Sequence, residues 1–209
     1  MMSTGYVVEE EARRISNQGM ARRAYQKGFE FERLIELLLW RRPASVLEVG
    51  TAEGGAWYAF AQCATPDAVM VSIDLADELD EPRVSVPVLE AYCQPGQTAV
   101  MIRGDSRLEA TRDAALAAAP DGYDFLFIDG DHTLPAVTRD HELYAPLVKP
   151  GGLVAFHDIM EPAVRRIQYQ RPTEVDLFWN ALEKPGRTWE FIDYSDLSFG
   201  GIGVYEVPV

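Results

Sequence analysis

Carboxylates and imidazoles follow two largely apolar stretches in the second half of this sequence. Asp129 comes directly after Tyr123–Ile128. His157 and Asp158 come directly after Leu153–Phe156. Oxygen and nitrogen ligands of this kind suit Mg²⁺, Mn²⁺ or Fe²⁺ better than a closed structural zinc site. If the two stretches are neighbouring strands, their ends lie about 4.8 Å apart, and these three side chains can converge on one divalent cation.

His132 lies three residues after Asp129 and is a further candidate for chemistry. A neutral imidazole titrates near physiological pH, so His132 could take a proton from a hydroxyl held on that cation. We interpret His132 as a general base, with Asp129 beside it in the catalytic pair. The alternative is that Asp131 caps a helix and His132 is merely exposed. His141 lies inside a predicted helix and is assigned no role.

A glycine-rich turn follows the apolar run at the start of Val46–Ala56, which reads VLEVGTAEGGA. This pattern is typical of the strand, turn and helix start of a βαβ unit, and Gly50 allows the sharp bend. Ala52 stands where a dinucleotide fingerprint has its middle glycine. Glu48 would also repel phosphate. The turn therefore favours a ligand without a pyrophosphate and with a cationic or amino group. The alternative is an ordinary strand-to-helix turn.

Acidic residues also follow the next two predicted strands. Asp74 lies about 20 residues beyond the glycine turn, where a carboxylate can accept hydrogen bonds from a ribose hydroxyl pair. Asp105 and Ser106 could bond the amino edge of an adenine. Alternatively, Asp74 is a solvated strand end, and Asp105 with Ser106 forms the N-cap of the following helix.

Apolar runs and helical patterns position these residues. Strands are predicted over residues 46–49, 69–73, 99–103, 123–128, 153–156, 189–194 and 200–207, with a long amphipathic helix over Met20–Trp40. The alternation of strands and helices indicates one α/β domain over residues 1–209, with helices on both faces of a sheet. Residues 1–20 are polar and are expected to form an arm or lid. Ligands of such sheets bind beyond the carboxyl ends of the strands, where all the candidate residues lie.

Composition narrows the class of protein. The chain has 209 residues, a hydrophobic share of 47% and a formal net charge of -14. Such a surface repels phosphate backbones, so nucleic acid is not an expected partner. We find no secretory signal and no apolar run long enough to span a bilayer, so a cytoplasmic protein is expected. Cys63 and Cys93 lack metal-site spacing and are expected to be free thiols.

Six segments together resemble class I S-adenosylmethionine (SAM)-dependent methyltransferases. They are VLEVGTAEGGA, SIDLAD, IRGDSRL, FLFIDGDH, LVKPGGLVAFHDI and GGIGVYEV, and the resemblance covers roughly residues 30–209. The FIDGDH and FHD pair is most similar to small metal-dependent O-methyltransferases. These include the catechol type and a group, with cephalosporin hydroxylase-like members, that methylates antibiotic sugars.

The resemblance implies a fold and a set of site residues. The fold is a Rossmann-like mixed sheet of seven strands in the order 3-2-1-4-5-7-6, with strand 7 antiparallel. The implied cofactor-binding residues are Glu48, Gly50, Thr51, Glu53, Gly54, Asp74, Leu75, Asp105, Ser106 and Asp129. The implied metal ligands are Asp129, His157 and Asp158, and His132 matches the position of the base. His157 departs from the pattern, because these relatives carry a carboxylate there.

These observations predict a SAM-dependent O-methyltransferase assisted by a divalent cation, most simply Mg²⁺, with Mn²⁺ or Fe²⁺ as alternatives. The expected partner is a small molecule that carries a hydroxyl, such as a sugar or natural-product intermediate, and a homo-oligomer is possible. The acceptor pocket is expected between the N-terminal arm and Ile159–Arg171, because irregular loops usually carry specificity. Two alternatives stay open: an iron-dependent hydroxylase-like enzyme, and a cofactor-binding protein without turnover.

Overall fold

The computed structural model describes residues 4–75, 84–161, 167–168, 171–196 and 198–209. A seven-stranded sheet forms its centre, made of β1 (Ser45–Val49), β2 (Val69–Asp74), β3 (Thr98–Arg103), β4 (Tyr123–Ile128), β5 (Val148–His157), β8 (Thr188–Phe191) and β9 (Ile202–Glu206). The strand order is β3-β2-β1-β4-β5-β9-β8, and β9 is antiparallel to both of its neighbours. The predicted fold is therefore confirmed, with β9 as the antiparallel seventh strand of the main sheet.

Seven α-helices accompany the sheet in the described chain. They are α1 (Thr4–Ala21), α2 (Gly28–Arg41), α3 (Gly55–Cys63), α4 (Val86–Tyr92), α5 (Glu109–Ala118), α6 (Leu134–Tyr144) and α7 (Val175–Ala181), and a 3-10 turn covers Ala145–Leu147. Two short strands, β6 (Ile167–Gln168) and β7 (Arg171–Pro172), pair in a separate small sheet. Residues 162–166 and 169–170, part of the expected acceptor pocket, lie outside the described residues.

Strand β4 shows why the sheet is covered on both faces. Phe125 and Phe127 point into a core shared with α1, α2, α3 and α4. Leu126 and Ile128 point into a second core, shared with α5, α6 and α7. A central parallel strand is buried on both faces and is apolar at successive positions, which is the pattern that made it recognisable. Cys63 and Cys93 are free thiols, as predicted.

The N-terminal region differs from the sequence prediction. Residues Thr4–Ala21 form helix α1, and Ala12 and Ile15 are buried against the rest of the fold. The uninterrupted helix predicted over Met20–Trp40 is wrong, because α2 begins only at Gly28. The chain turns between the helices, with a positive φ at Arg23 and a hydrogen bond from Ala24 N to Gly19 O. A lid function for residues 1–20 stays a prediction.

Among the described residues, no helix combines the length and the apolarity that crossing a membrane requires.

Candidate active site

Strand pairing brings the predicted site residues to one edge of the sheet. Val49 is level with Ile128, and Ile128 is level with Phe156 in the next strand. Asp129 and His157 therefore follow neighbouring strands at the same height. A hydrogen bond of 2.8 Å from Asp129 N to Val49 O continues the pairing beyond the end of β4.

The bend at Gly50 depends on the absence of a side chain. Its φ is +94°, and a Cβ there would lie 2.1 Å from the carbonyl oxygen of Asp129. Any other residue would overlap the backbone that carries the candidate catalytic carboxylate. Gly50 thus lets the turn after β1 lie directly against the end of β4.

A buried cluster of carboxylates and imidazoles lies beside this turn. Asp129 Oδ1 is 3.0 Å from His132 Nε2 and 3.1 Å from His157 Nδ1. His132 Nδ1 is 3.0 Å from Asp158 Oδ2, an ion-pair contact. His132, His157 and Asp158 are all at least nine-tenths buried. The structure thus brings together the four residues that the sequence analysis selected for catalysis and metal binding, while their roles stay predictions.

The imidazoles and carboxylates of the cluster shift one another's pKa values. Burial lowers the pKa of His132, but its contacts with Asp129 and Asp158 outweigh burial and raise it to about 10. Burial likewise lowers the pKa of His157, and the charges of the same carboxylates raise it overall. Burial raises the pKa of Asp129, whereas the two imidazoles lower it overall. The two carboxylates therefore favour the protonated form of His132 in this arrangement.

The backbone at Asp158 is strained. Its φ is +62°, a region that residues other than glycine rarely adopt. Gly200 N donates a hydrogen bond of 2.9 Å to Asp158 Oδ1, and Met160 N donates one to Gly200 O. These contacts with the start of β9 hold Asp158 in place, and strain of this kind is concentrated at functional sites.

The donor set fits a divalent cation. Asp129, His132 and His157 each offer one ligand atom, and these atoms lie within 4.8 Å of one another. His157 Nε2 is buried and has no hydrogen-bond partner among the residues that the structure describes. This compact set includes His132, where the sequence analysis has Asp158. Asp158 instead contacts His132 from the other side.

Asp74 fixes the backbone of the glycine turn through hydrogen bonds. Its Oδ2 accepts hydrogen bonds from Thr51 N at 3.1 Å and Ala52 N at 2.9 Å. Its Oδ1 accepts one from Leu75 N at 2.8 Å. The Leu75 side chain itself is exposed. Asp74 therefore has a structural task at the predicted position, and its contact with a ribose stays a prediction.

Glu48, which the sequence analysis expected to repel phosphate, lies in the sheet on β1. The residue is fully buried, and Ser72 Oγ donates a hydrogen bond of 3.0 Å to its Oε2. Burial raises the pKa of Glu48 well above its ordinary value. Contact between Glu48 and the cofactor stays a prediction. Thr51 is buried beside it and hydrogen-bonds to Ser72 through their hydroxyls.

The remaining predicted cofactor residues lie around the turn and beyond β3. Asp105 pairs with Arg107 at 2.7 Å, and this hydrogen bonding lowers the Asp105 pKa. Helix α5 has Leu108 as its N-cap, so the alternative that Asp105 and Ser106 form the cap is wrong. Gly54 is the N-cap of α3 with a φ of +80°. Glu53 Oε1 lies 3.4 Å from Arg23 of the segment between α1 and α2.

Gln26 also contacts the cluster, and no feature of the sequence predicts this contact. Its Nε2 donates a hydrogen bond of 2.7 Å to Asp129 Oδ2, and the residue is 5% exposed. The two residues are 103 positions apart. Gln26 lies in the region predicted as continuous helix, where no motif distinguishes it. Only the observed break between α1 and α2 explains how it reaches the site.

A cavity lies at the edge of the sheet opposite the candidate site. Its volume is about 330 Å³, and it is lined by the end of α2, by Pro43 and Ala44 before β1, and by residues of β4 and β5. Its cationic residues are Arg41, Arg42 and Lys149. Arg41 pairs with Glu206 at 2.7 Å and Lys149 with Asp124 at 3.0 Å. Two of its three cationic groups are therefore paired with carboxylates of the protein.

Comparisons with known proteins match this chain to one family model and to one curated relative. A family model described as a methyltransferase domain matches residues 47–159, which is more than half of the chain. An uncharacterized protein of Acanthamoeba polyphaga mimivirus is 40% identical over 60 residues, a match that covers 25% of this chain and 27% of that protein. The matched part of this chain thus spans only about a quarter of that relative.

Solved structures share the fold at low identity. The O-methyltransferase TomG from Streptomyces achromogenes, involved in tomaymycin synthesis and solved with SAM, superposes with a TM-score of 0.62 at 14% identity, covering 97% of this chain and 90% of TomG. An O-methyltransferase from Bacillus cereus, solved with S-adenosylhomocysteine (SAH), has a TM-score of 0.60 at 15% identity, with 96% and 90% covered. The MycE methyltransferase of the mycinamycin pathway, solved with Mg and SAH, has a TM-score of 0.57 at 17% identity, with 94% of this chain and 53% of MycE covered.

Proposed function

The chain belongs to the methyltransferase-domain family, and from this premise we propose that it transfers the methyl group of SAM to a hydroxyl of a small molecule with the help of a divalent cation. The observation that carries the proposal is the buried cluster of Asp129, His132, His157 and Asp158, next to the glycine turn. The similar folds of TomG, MycE and the Bacillus cereus enzyme, which were solved with SAM or SAH, support SAM as the methyl donor.

The cofactor would lie along the edge formed by the ends of β1, β2 and β3. The turn at Gly50 and the start of α3 would face its methionine end. Asp74 would meet the ribose, and Asp105 with Ser106 the adenine. Because the sulfonium carbon of SAM is already activated, the protein has mainly to bind, orient and deprotonate the acceptor. Holding the hydroxyl about 3 Å from the methyl carbon supplies much of the acceleration.

Asp129 and His157 would hold the cation, with His132 or Asp158 completing the set. The chemistry that a divalent cation would supply there is a lower pKa of a hydroxyl that contacts it. Asp129 and Asp158 are the groups that keep His132 protonated. If the two carboxylates held a cation, the pKa of His132 would fall, and its neutral ring could accept the hydroxyl proton.

The test is incubation of the purified protein with labelled SAM and a panel of vicinal diols, sugars and simple alcohols, with and without a chelator. We expect label transfer to at least one hydroxyl acceptor and loss of transfer when the chelator is present. Binding of SAH, measured by calorimetric titration, separates cofactor binding from turnover. SAH binding without product from any class of acceptor would contradict the proposed reaction and favour the cofactor-binding protein.

Substitution of His132 tests the base. We expect His132→Gln to lower methyl transfer by about 10²–10⁴-fold, the usual contribution of general base catalysis, while SAH still binds. His141→Gln is the matched control, because His141 contacts Phe178 and Tyr205 in the second core and lies away from the cluster. Equal losses in the two variants would remove His132 from the mechanism.

A second candidate is oxygen chemistry on iron. The compact ligand set of Asp129, His132 and His157 contains two histidines and one carboxylate, which is the composition of the facial triad of non-haem iron oxygenases. This alternative does not explain the glycine-rich turn beside the cluster. Anaerobic loading with Fe²⁺, followed by metal analysis and an oxygen-uptake assay, decides the matter, because a methyltransferase shows no uptake.

A further inference from the structure

Residues 22–27, which we call the connector, join α1 to α2 and pass over the candidate site. Arg23 lies 3.4 Å from Glu53 in the glycine-rich turn. Ala24 N is so close to the start of α3 that a Cβ on Gly55 would lie 2.1 Å from it. Lys27 pairs with Asp196 in the segment before β9. The connector is thus fixed at both ends by contacts that do not involve Gln26.

Gln26 has one satisfied and one unsatisfied end. A carboxylate only accepts hydrogen bonds, so the amide nitrogen of Gln26 must face Asp129. The carbonyl oxygen Oε1 is buried and has no hydrogen-bond partner within the described part of the chain. Leaving a buried acceptor unpaired costs free energy. The hydrogen bond to Asp129 is therefore the polar contact that explains the position of this side chain.

The two oxygens of Asp129 have different partners. Oδ2 accepts from Gln26 at 2.7 Å, and Oδ1 faces the rings of His132 and His157. Two contacts on opposite oxygens define the plane of a carboxylate. Without Gln26, rotation about the Cβ–Cγ bond would no longer be opposed on the Oδ2 side.

We propose that Gln26 is a positioning residue, which orients the Asp129 carboxylate so that Oδ1 stays directed at the two imidazoles and at a cation bound between them. The N-terminal region would therefore complete the site through one hydrogen bond from the connector. The inference rests on the proposed function for the role of Asp129, but the orientation itself can be measured without any reaction.

The test compares wild type with Gln26→Met, which keeps the length of the side chain and removes the donor. In crystal structures we expect at least one of the contacts from Asp129 Oδ1 to His132 and His157 to be lost in the variant. We expect Mn²⁺ affinity, measured by calorimetry, to fall about tenfold or more, as is usual when the hydrogen bond behind a ligand is removed. The affinity for SAH should change little, because the connector touches the glycine turn through Arg23 and Ala24.

Gln62→Met is the matched control, since Gln62 donates a comparable hydrogen bond to Tyr92 O away from the cluster. It should leave the Asp129 contacts and Mn²⁺ binding unchanged. Persistence of both Asp129 contacts in the Gln26→Met crystal structure overturns the inference. If wild type binds no Mn²⁺, the metal part of the proposed function fails, and the crystal structures alone decide the role of Gln26.

Discussion

Asp140 on helix α6 is a fully buried carboxyl. Burial raises its pKa to about 7, and Ser106 and Arg107 offset only part of that effect. Its Oδ2 lies 3.5 Å from the position that a Cβ on Gly130 would take, so Asp140 packs directly behind the segment that follows β4. Together with Glu48, whose pKa burial also raises, Asp140 is a carboxyl outside the catalytic cluster that links stability to pH.

The contribution of Asp140 to stability should therefore fall as the pH rises from about 4 to about 7. In this range an unfolded Asp140 is ionised while the folded one keeps its proton, so unfolding releases a proton and is favoured by higher pH. We expect Asp140→Asn to remove the part of this dependence that Asp140 contributes, and to gain up to about 4 kcal/mol at pH 8, from 1.36 kcal/mol per pKa unit, with little difference at pH 4. The part that comes from Glu48 should stay in the variant. Urea unfolding across this range measures it. Asp121→Asn, at an exposed position, is the control, and an equal pH slope in both variants would contradict the assignment.

Single residues also mark the limit of what the sequence could predict at the site. Asp129, His132, His157 and Asp158 were recognisable because each follows an apolar run that must end at the ligand edge of the sheet. Gln26 and Asp140 were not recognisable, because the sequence places both in predicted helices, where a polar residue usually faces solvent. Their burial arises from contacts between distant parts of the chain, which leave no periodic pattern in the sequence.

At the scale of elements, the turn between β1 and α3 connects the fold to the chemistry. It packs against the end of β4 only because Gly50 has no side chain. The same turn is held by Asp74 from β2. Three neighbouring strands thus depend on one backbone conformation, and a change there should disturb both stability and the Asp129 cluster.

Gly50→Ala should destabilise the protein by at least about 3 kcal/mol, the sum of a positive-φ penalty and of overlap with the Asp129 carbonyl. Gly151→Ala is the matched control, because Gly151 also has a positive φ but a Cβ there would meet only Val209 at 3.6 Å. Its cost should be about 1 kcal/mol, from the backbone alone. Chemical unfolding of both variants gives the difference. Similar losses would mean that the turn relaxes away from β4 without strain.

Helix α1 was not predicted from the sequence, whereas the strands were. The strands were predicted because buried parallel strands are continuously apolar, whereas α1 exposes most of its surface and buries a narrow face that includes Ala12 and Ile15. Such a stripe is weak beside the charged residues of the helix. The break before α2 was equally hidden, because Met20–Trp40 keeps a helical spacing of apolar residues across the connector.

If α1 is a docked element rather than a loose arm, Ile15→Ala should cost about 2–5 kcal/mol, as for other fully buried aliphatic side chains. Ile15 is 1% exposed, and Val7 on the same helix is 55% exposed. Val7→Ala should therefore change stability by no more than about 0.5 kcal/mol. Thermal or urea unfolding distinguishes the two. A negligible effect of Ile15→Ala would show that the helix contributes little to the folded body.

At the scale of the whole molecule, the formal net charge of -14 sets the background against which any cation binds. Repulsion among many carboxylates destabilises the compact state, and dissolved salt screens it over about 10 Å at 0.1 M. A cation can therefore stabilise this protein in two ways. General screening acts on the whole surface, whereas specific binding requires the ligands that converge at the ends of β4 and β5.

The two effects separate in a thermal unfolding experiment. Raising NaCl from low concentration to roughly 0.15 M should raise the unfolding temperature of wild type and of Asp129→Asn by similar amounts, because screening ignores single sites. At constant ionic strength, Mg²⁺ or Mn²⁺ should then stabilise wild type further, by about 2.7 kcal/mol at a hundredfold excess over the dissociation constant. Asp129→Asn should lose this second increase, whereas Asp121→Asn should keep it, since Asp121 precedes β4 at the opposite edge of the sheet. If both variants keep the full response to the divalent cation, the cation acts through the surface charge, and the cluster around Asp129 is not its site.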